Sequence, residues 1–167
     1  MRDVAGVDIQ MGDRQGGFVP QTLVSMAVEA RTRAKDEADE IDEYWCVFDV
    51  EWPNNHPNLR GVIRQARDND IKLAISNPCF ELWLILHFRD QRRWLNTVDA
   101  QNLRRDLDGS SGKGIDGAKY MPHIRRAVRR AAELDVLHEG NATHFPDDNP
   151  SSGMYRLIAA VEPNLGL

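Results

Sequence analysis

Trp45-Cys46-Val47-Phe48-Asp49-Val50-Glu51 and Ile71-Lys72-Leu73-Ala74-Ile75-Ser76-Asn77-Pro78 decide the fold. The first segment, led in by Tyr44, is nearly continuous in apolar and aromatic residues up to Asp49. That is the pattern of a strand covered on both faces, as in a parallel sheet. The second segment reads as a strand over Ile71–Ile75. Between them, Trp52-Pro53-Asn54-Asn55 marks a turn. The stretch from Pro57 to Asp68 predicts a helix with Leu59, Ile63 and Ala66 on one face, closed by Asn69-Asp70. Strand, helix and strand at this spacing form a βαβ unit with parallel strands and a right-handed crossover.

Upstream of this unit, Val4–Ile9 has the character of a short strand, and Pro20 opens a helix through Leu23, Val24, Ala27, Val28 and Ala30. Downstream, Ser76-Asn77-Pro78 reads as a helix start, with Asn77 as cap and Pro78 in the first helical position. The helix Cys79–Phe88 is almost wholly apolar and therefore buried. Helices are further expected over Thr97–Asp108, Tyr120–Leu137 and Ser151–Val161, the last opened by the capping pair Asn149 and Ser151. Gly109–Gly117 is a flexible loop, and His138–Pro150 is loop as well. The expectation is one α/β domain over residues 1–167, with an α/β core in 1–90 and a mainly helical part in 91–167.

The 167 residues carry a formal charge of −5, which excludes a protein that binds nucleic acid through bulk basic charge. Contact with a polyanion must come from a local patch or through bound cations. The two cysteines, Cys46 and Cys79, lie in apolar runs outside any C-x-x-C pair, as expected of reduced thiols in a cytoplasmic protein. No apolar run reaches the ~18 residues of a membrane span, and the first residues lack the apolar stretch of a signal peptide.

Sites in open parallel sheets form beyond the carboxyl ends of the strands. The two strands of the βαβ unit bring Asp49, Glu51 and the Ser76-Asn77-Pro78 turn to one edge. Asp49 and Glu51, two residues apart, fall on one side of an extended strand end. Two adjacent carboxylates repel unless a cation sits between them, and Mg2+ favours one or two carboxylates with water and phosphate oxygens. The plain alternative has Asp49 capping the turn and Glu51 solvated. Glu81 is the only charge in Cys79–Leu86, so its carboxylate needs a partner, a metal or the amides of its helix start. His87 shares a face with Phe80, Trp83 and Leu84, where a histidine is more often a core residue than a site residue. The absence of H-x-x-x-H and C-x-x-C argues against structural zinc. Lys113 sits in Gly-Ser-Ser-Gly-Lys-Gly, which lacks the frame of a phosphate loop but carries a lysine able to reach a phosphate. Arg125, Arg126, Arg129 and Arg130 recur at helical spacing, either as a solvated face or as a phosphate track.

The strings WCVFDVE at 45–51 and IKLAISNPCFELWLILHF at 71–88 look like the core of the RloB/AbiLii family. The Gly-Lys-Gly stretch before Tyr120 and NPSSGMYRLIAAVE at 149–162 resemble later parts of the same family. The resemblance implies a Toprim-like parallel sheet with helices on both faces. It implies a nuclease or phosphotransfer site holding Mg2+ or Mn2+ on a D-x-D pair, which here is Asp49 and Glu51, supported by Glu81 and Asn77. It further implies an effector of abortive infection against phage, encoded beside an ATPase of the AAA or ABC type, with RNA (tRNA among them) or DNA as substrate. The family pattern begins with a strand and an E-G-x-x-[TS]-E turn, and no such string precedes Asp49. The expectation is therefore either a longer natural chain or a version without catalysis. Two other readings compete: a non-catalytic subunit that binds the ATPase or nucleic acid, and a phosphatase of the haloacid-dehalogenase type. The latter fits poorly, because Trp52-Pro53 follow Glu51. The sequence leaves the oligomeric state open, a homo-oligomer included.

Overall fold

The computed structural model describes residues 19–37 and 41–163. The strand expected at Val4–Ile9 lies outside the described residues. The βαβ unit is present: β1 (Trp45–Asp49), α2 (Leu59–Asp68) and β2 (Lys72–Asn77), preceded by α1 (Pro20–Asp36). β1 and β2 pair in parallel, with Trp45 opposite Lys72 and Asp49 opposite Ser76. Pro20 begins α1 as its first helical residue, where its missing N–H costs nothing. On α2 the buried residues are Leu59, Val62 and Ala66, so Val62 rather than Ile63 sits deepest on the face.

The chain continues through α3 (Glu81–Phe88), α4 (Thr97–Asp108), the short α5 (Gly117–Tyr120), a 3-10 turn (Met121–His123) and α6 (Ile124–Gly140). It then returns to the sheet as β3 (Ser151–Ser152) and ends in α7 (Met154–Val161). β3 corrects the helix expected from Ser151. Ser152 and Ser151 pair antiparallel with Ser76 and Asn77, so the sheet is mixed, in the order β1-β2-β3. Asn149 is not a helix cap. Its amide clamps Leu95, accepting from the backbone N at 3.2 Å and donating to the carbonyl at 2.7 Å. The approach of β3 to β2 requires Gly153: a Cβ there would lie 3.1 Å from Ile75 N and 3.2 Å from Ala74 Cα.

Alternation along the strands sorts their side chains between two helical layers. Cys46, Phe48, Leu73 and Ile75 face α1 and α2, together with Val24, Val62 and Ala66. Ala74 faces the layer of α3, α6 and α7, with Leu82, Leu86, Val128 and Leu134. α3 is the most buried helix: Leu82 through His87 are all buried, and each large apolar side chain there contributes about 1.5–3 kcal/mol. Helices thus cover both faces of the sheet, but unevenly. Val47 of β1 is 42% exposed, which corrects the expectation of a strand covered on both sides. The second layer sits over β2 and β3 and leaves the outer part of β1 open. No helix among the described residues is long and apolar enough to cross a membrane.

Candidate functional site

The carboxyl ends of β1 and β2 open onto a cleft of about 270 Å³. Asp49, Glu51 and Glu81 line it, opposite Thr97, Gln101 and Arg104 of α4 and Lys113 of the glycine-rich loop. All three acidic residues singled out in the sequence therefore meet in one place, and Lys113 joins them. The route differs from expectation at two points. β1 ends at Asp49, and Glu51 adopts a left-handed backbone with φ of 63° instead of continuing the strand. That conformation is uncommon for a residue with a side chain and costs of order 1 kcal/mol. It is held by Glu51 N donating to Pro78 O at 2.8 Å, beside Val50 N donating to Ser76 O at 3.0 Å. Second, β2 runs two residues beyond Ile75, and α3 starts only at Glu81. Glu81 thereby stands at the N-terminus of a buried helix, where the helix dipole favours its charge.

The electrostatics of the acidic end are unbalanced. Burial pushes the Asp49 carboxyl up to about 7 against a backbone hydrogen bond from Phe80, and the charges of Glu81 and Glu51 push it the same way. Glu51 reaches a partial partner in His56, 3.6 Å away. Cys79, between the acids, is raised by its burial and then by Glu81 and Asp49, so its thiol is inert. Such a donor set, made wholly of carboxyl oxygens, suits a hard divalent cation. Among the described residues no three His, Cys, Asp or Glu side chains already enclose a metal position. A Mg2+ site does not need such a cage, since it retains several waters beside one or two carboxylates.

Across the cleft the charges are balanced. Arg104, 3% exposed, pairs with Asp108 at 2.8 Å and donates to Tyr120 Oη at 3.1 Å. The same guanidinium donates to the carbonyls of Gly112 at 2.8 Å and Gly114 at 2.5 Å. One buried arginine therefore grips the loop on both sides of Lys113. Burial raises the Asp108 carboxyl, but hydrogen bonds from Tyr120 and Ser110 and the Arg104 charge hold it below the usual range. Sequence reasoning missed Arg104. Its signal was an arginine four residues before an aspartate inside the apolar stripe Ala100, Leu103 and Leu107.

A family model described as RloB-like protein matches residues 3–161. The chain belongs to the RloB-like family. No curated protein and no solved structure was found to match it.

In this RloB-like chain the remaining site residues of the sequence reading lie elsewhere. Asn77 is not a helix cap but the last residue of β2, 1% exposed, with its amide N donating to Pro146 O at 2.9 Å and Asp148 Oδ1 at 3.0 Å. It ties the strand end to the loop before β3 and does not line the cleft. His87 is a core residue: Nδ1 lies 2.9 Å from Trp83 O, and its ring packs edge-on against Trp83 and Tyr120. Burial lowers its pKa, so it stays neutral in that position. The four arginines of α6 divide. Arg130 donates to Leu86 O at 2.7 Å and pairs with Asp90 at 3.3 Å, closing the end of α3. Arg129 pairs with Glu133 at 3.6 Å on the surface, and Arg125 and Arg126 are exposed. A phosphate track on α6 is thus reduced from four residues to three. A second cavity, of about 130 Å³, lies at the opposite end of the strands, and its Asp70 is already matched by Arg31 and Lys72.

Proposed function

We propose that this protein is a Mg2+- or Mn2+-dependent, Toprim-like nuclease of a bacterial system of abortive infection against phage. Its substrate is RNA, with tRNA a candidate, or DNA. The observation that carries the reading is the convergence of Asp49, Glu51 and Glu81 with Lys113 in one cleft beyond the parallel strands. The setting in phage defence and the ATPase partner rest on the family resemblance, and the cytoplasmic location rests on the two free, buried cysteines.

Asp49 and Glu51 would hold the metal, with Glu81 fixing the local charge from the helix start. When bound, Mg2+ supplies Lewis-acid polarisation of a phosphate oxygen and a more acidic water. Lys113 stands on the facing wall and can pair with a phosphate oxygen, positioned there by the grip of Arg104 on its neighbours. Burial above all, with the charges of Glu81 and Glu51 acting the same way, raises the Asp49 carboxyl to about 7, so Asp49 readily holds a proton near neutral pH until a cation arrives.

The test is cleavage of tRNA and plasmid DNA in Mg2+ or Mn2+, beside Asp49→Ala. Metal-dependent cutting that falls at least about a hundredfold in the variant supports the reading. A second reading, a non-catalytic subunit that binds the ATPase or nucleic acid, is favoured by the exposed arginines Arg125, Arg126 and Arg129 on α6, which offer a contact surface away from the acidic cleft. It replaces the first if neither substrate is cut with the ATPase present.

A further inference from the structure

Trp52 and Trp94 are 37% and 53% exposed, although tryptophan is the side chain with most to gain from burial. Their rings meet edge to face with centroids 5.9 Å apart. Neither lines the acidic cleft itself, but the backbone of Trp52 adjoins residues that do. Trp52 directly follows Glu51, and its carbonyl accepts from the backbone N of Thr97 at 3.2 Å; Glu51 and Thr97 both line the cleft.

The backbone beneath the pair is fixed on each side. Gln91 Nε2 donates to Arg93 O at 2.8 Å, ahead of Trp94. Asn149 clamps Leu95, immediately after it. Asn96 caps α4, accepting from Asp99 N at 2.8 Å. The exposed indole of Trp94 is therefore presented on a backbone held on both sides, and the backbone of Trp52 is tied to the same segment through Thr97. Positive charge adjoins them: Arg92 and Arg93 precede Trp94, both exposed, with only Arg92 drawn towards Glu133, at 3.2 Å. In a chain of net charge −5, aromatic surface beside cationic side chains is the chemistry that takes a π-face carrying phosphate.

We infer that the Trp52–Trp94 pair is a stacking site for an unpaired nucleobase, which lies on the open face of one indole while the other, at 86° to it, braces that ring, so that the cleft receives a single-stranded or looped segment of nucleic acid. This rests on the nuclease reading and narrows its substrate class. A base within a duplex offers no open face to such a platform, whereas an unpaired base does. Because Trp52 directly follows Glu51, a strand held there by one base has its adjoining backbone beside the acidic cleft.

The experiment measures binding of fluorescein-labelled 12-mers by anisotropy in EDTA, so that nothing is cut. Single-stranded RNA, single-stranded DNA and blunt duplexes of the same sequence are compared, with wild type, Trp94→Ala and Trp94→Phe. Circular dichroism melts check that the variants are folded. The expected result is preference for single strands, a loss of about tenfold in Trp94→Ala, and recovery of most affinity in Trp94→Phe. The RNA and DNA arms show which sugar is preferred. Equal binding of single strand and duplex, unchanged affinity in Trp94→Ala, or no binding of any probe overturns the platform. Platform and nuclease readings fail separately. Trp94-dependent binding by a protein that cuts nothing keeps the platform and removes the nuclease, and full cutting by Trp94→Ala does the reverse.

Discussion

The two walls of the cleft handle buried charge in opposite ways. On the α4 side, Arg104, Asp108 and Tyr120 form a closed set in which each charge meets its complement and the spare donors of Arg104 are used on the loop carbonyls. On the strand side, Asp49, Glu51 and Glu81 are three like charges, and Asp49 is pushed to about 7 by burial and by its neighbours. A closed set holds a shape. An open set of one sign is costly to the fold, and such clusters are concentrated where a protein binds something of the other sign. The comparison therefore assigns scaffolding to the α4 wall and chemistry to the strand wall, with Lys113 as the one group that the first presents to the second.

The largest effect is expected from breaking the closed set. Arg104→Ala leaves Asp108 buried without its cation and releases both loop carbonyls, which should cost about 3–5 kcal/mol in urea unfolding. A loss under about 1 kcal/mol would mean that the network is not what holds the wall. Relieving the open set should do the reverse. Asp49 titrates at about 7 when folded, above its ordinary value near 3.8. Well below the lower value it is protonated in both states and affects stability little. Between the two values the folded form keeps a proton that the unfolded form has lost, so stability falls as pH rises, and above about 7 the penalty is complete. Asp49→Asn in metal-free buffer should therefore be more stable than wild type at about pH 8, by up to a few kcal/mol, and nearly equal to it at about pH 4. Equal stability at both pH values would show that Asp49 is not under electrostatic stress.

Cation binding sharpens the same contrast at a smaller magnitude. Mg2+ at a hundredfold excess over its dissociation constant should stabilise wild type by about 2.7 kcal/mol. The melting temperature should rise with Mg2+ in wild type and in Lys113→Ala, but not in Asp49→Ala. A rise that survives in Asp49→Ala would place the cation elsewhere.

How much of this was legible in the sequence depended on whether the signal was local. The parallel pair and the helix Thr97–Asp108 were legible from local runs of the sequence. The meeting of Asp49, Glu51 and Glu81 followed from knowing which ends of parallel strands carry sites. What failed was long-range. Asn77-Pro78 has the local chemistry of a helix start, yet pairing with Ser151 draws Asn77 into the sheet. Nothing near Ser151 in the sequence announces β3, because two residues carry no alternation; only Gly153, which lets the chain approach β2, hints at it. Arg130 reads as one of a charged row, but a helix face that packs on α3 turns it inward to Leu86. Exposure of Trp52 and Trp94 runs against the ordinary preference of tryptophan and could be found only in three dimensions.

The smallest expected change in stability is the most discriminating one. Lys113 is exposed, and no fold element rests on its ammonium group, so Lys113→Ala should alter unfolding free energy by no more than about 0.5 kcal/mol. If the α4 wall exists to present this lysine, cleavage should nevertheless fall by about tenfold or more, with Lys113→Arg recovering part of it through retained charge. The comparison with Arg104→Lys then separates presence from placement. That variant keeps a cation against Asp108 but cannot hold two carbonyls and a hydroxyl at once, since it lacks the fixed fork of the guanidinium. Under the present assignment it reduces cleavage while Lys113 itself is intact. Full activity in Arg104→Lys, together with loss in Lys113→Ala, would show that the lysine acts without being held, and the loop around it would have to be regarded as mobile in its working state.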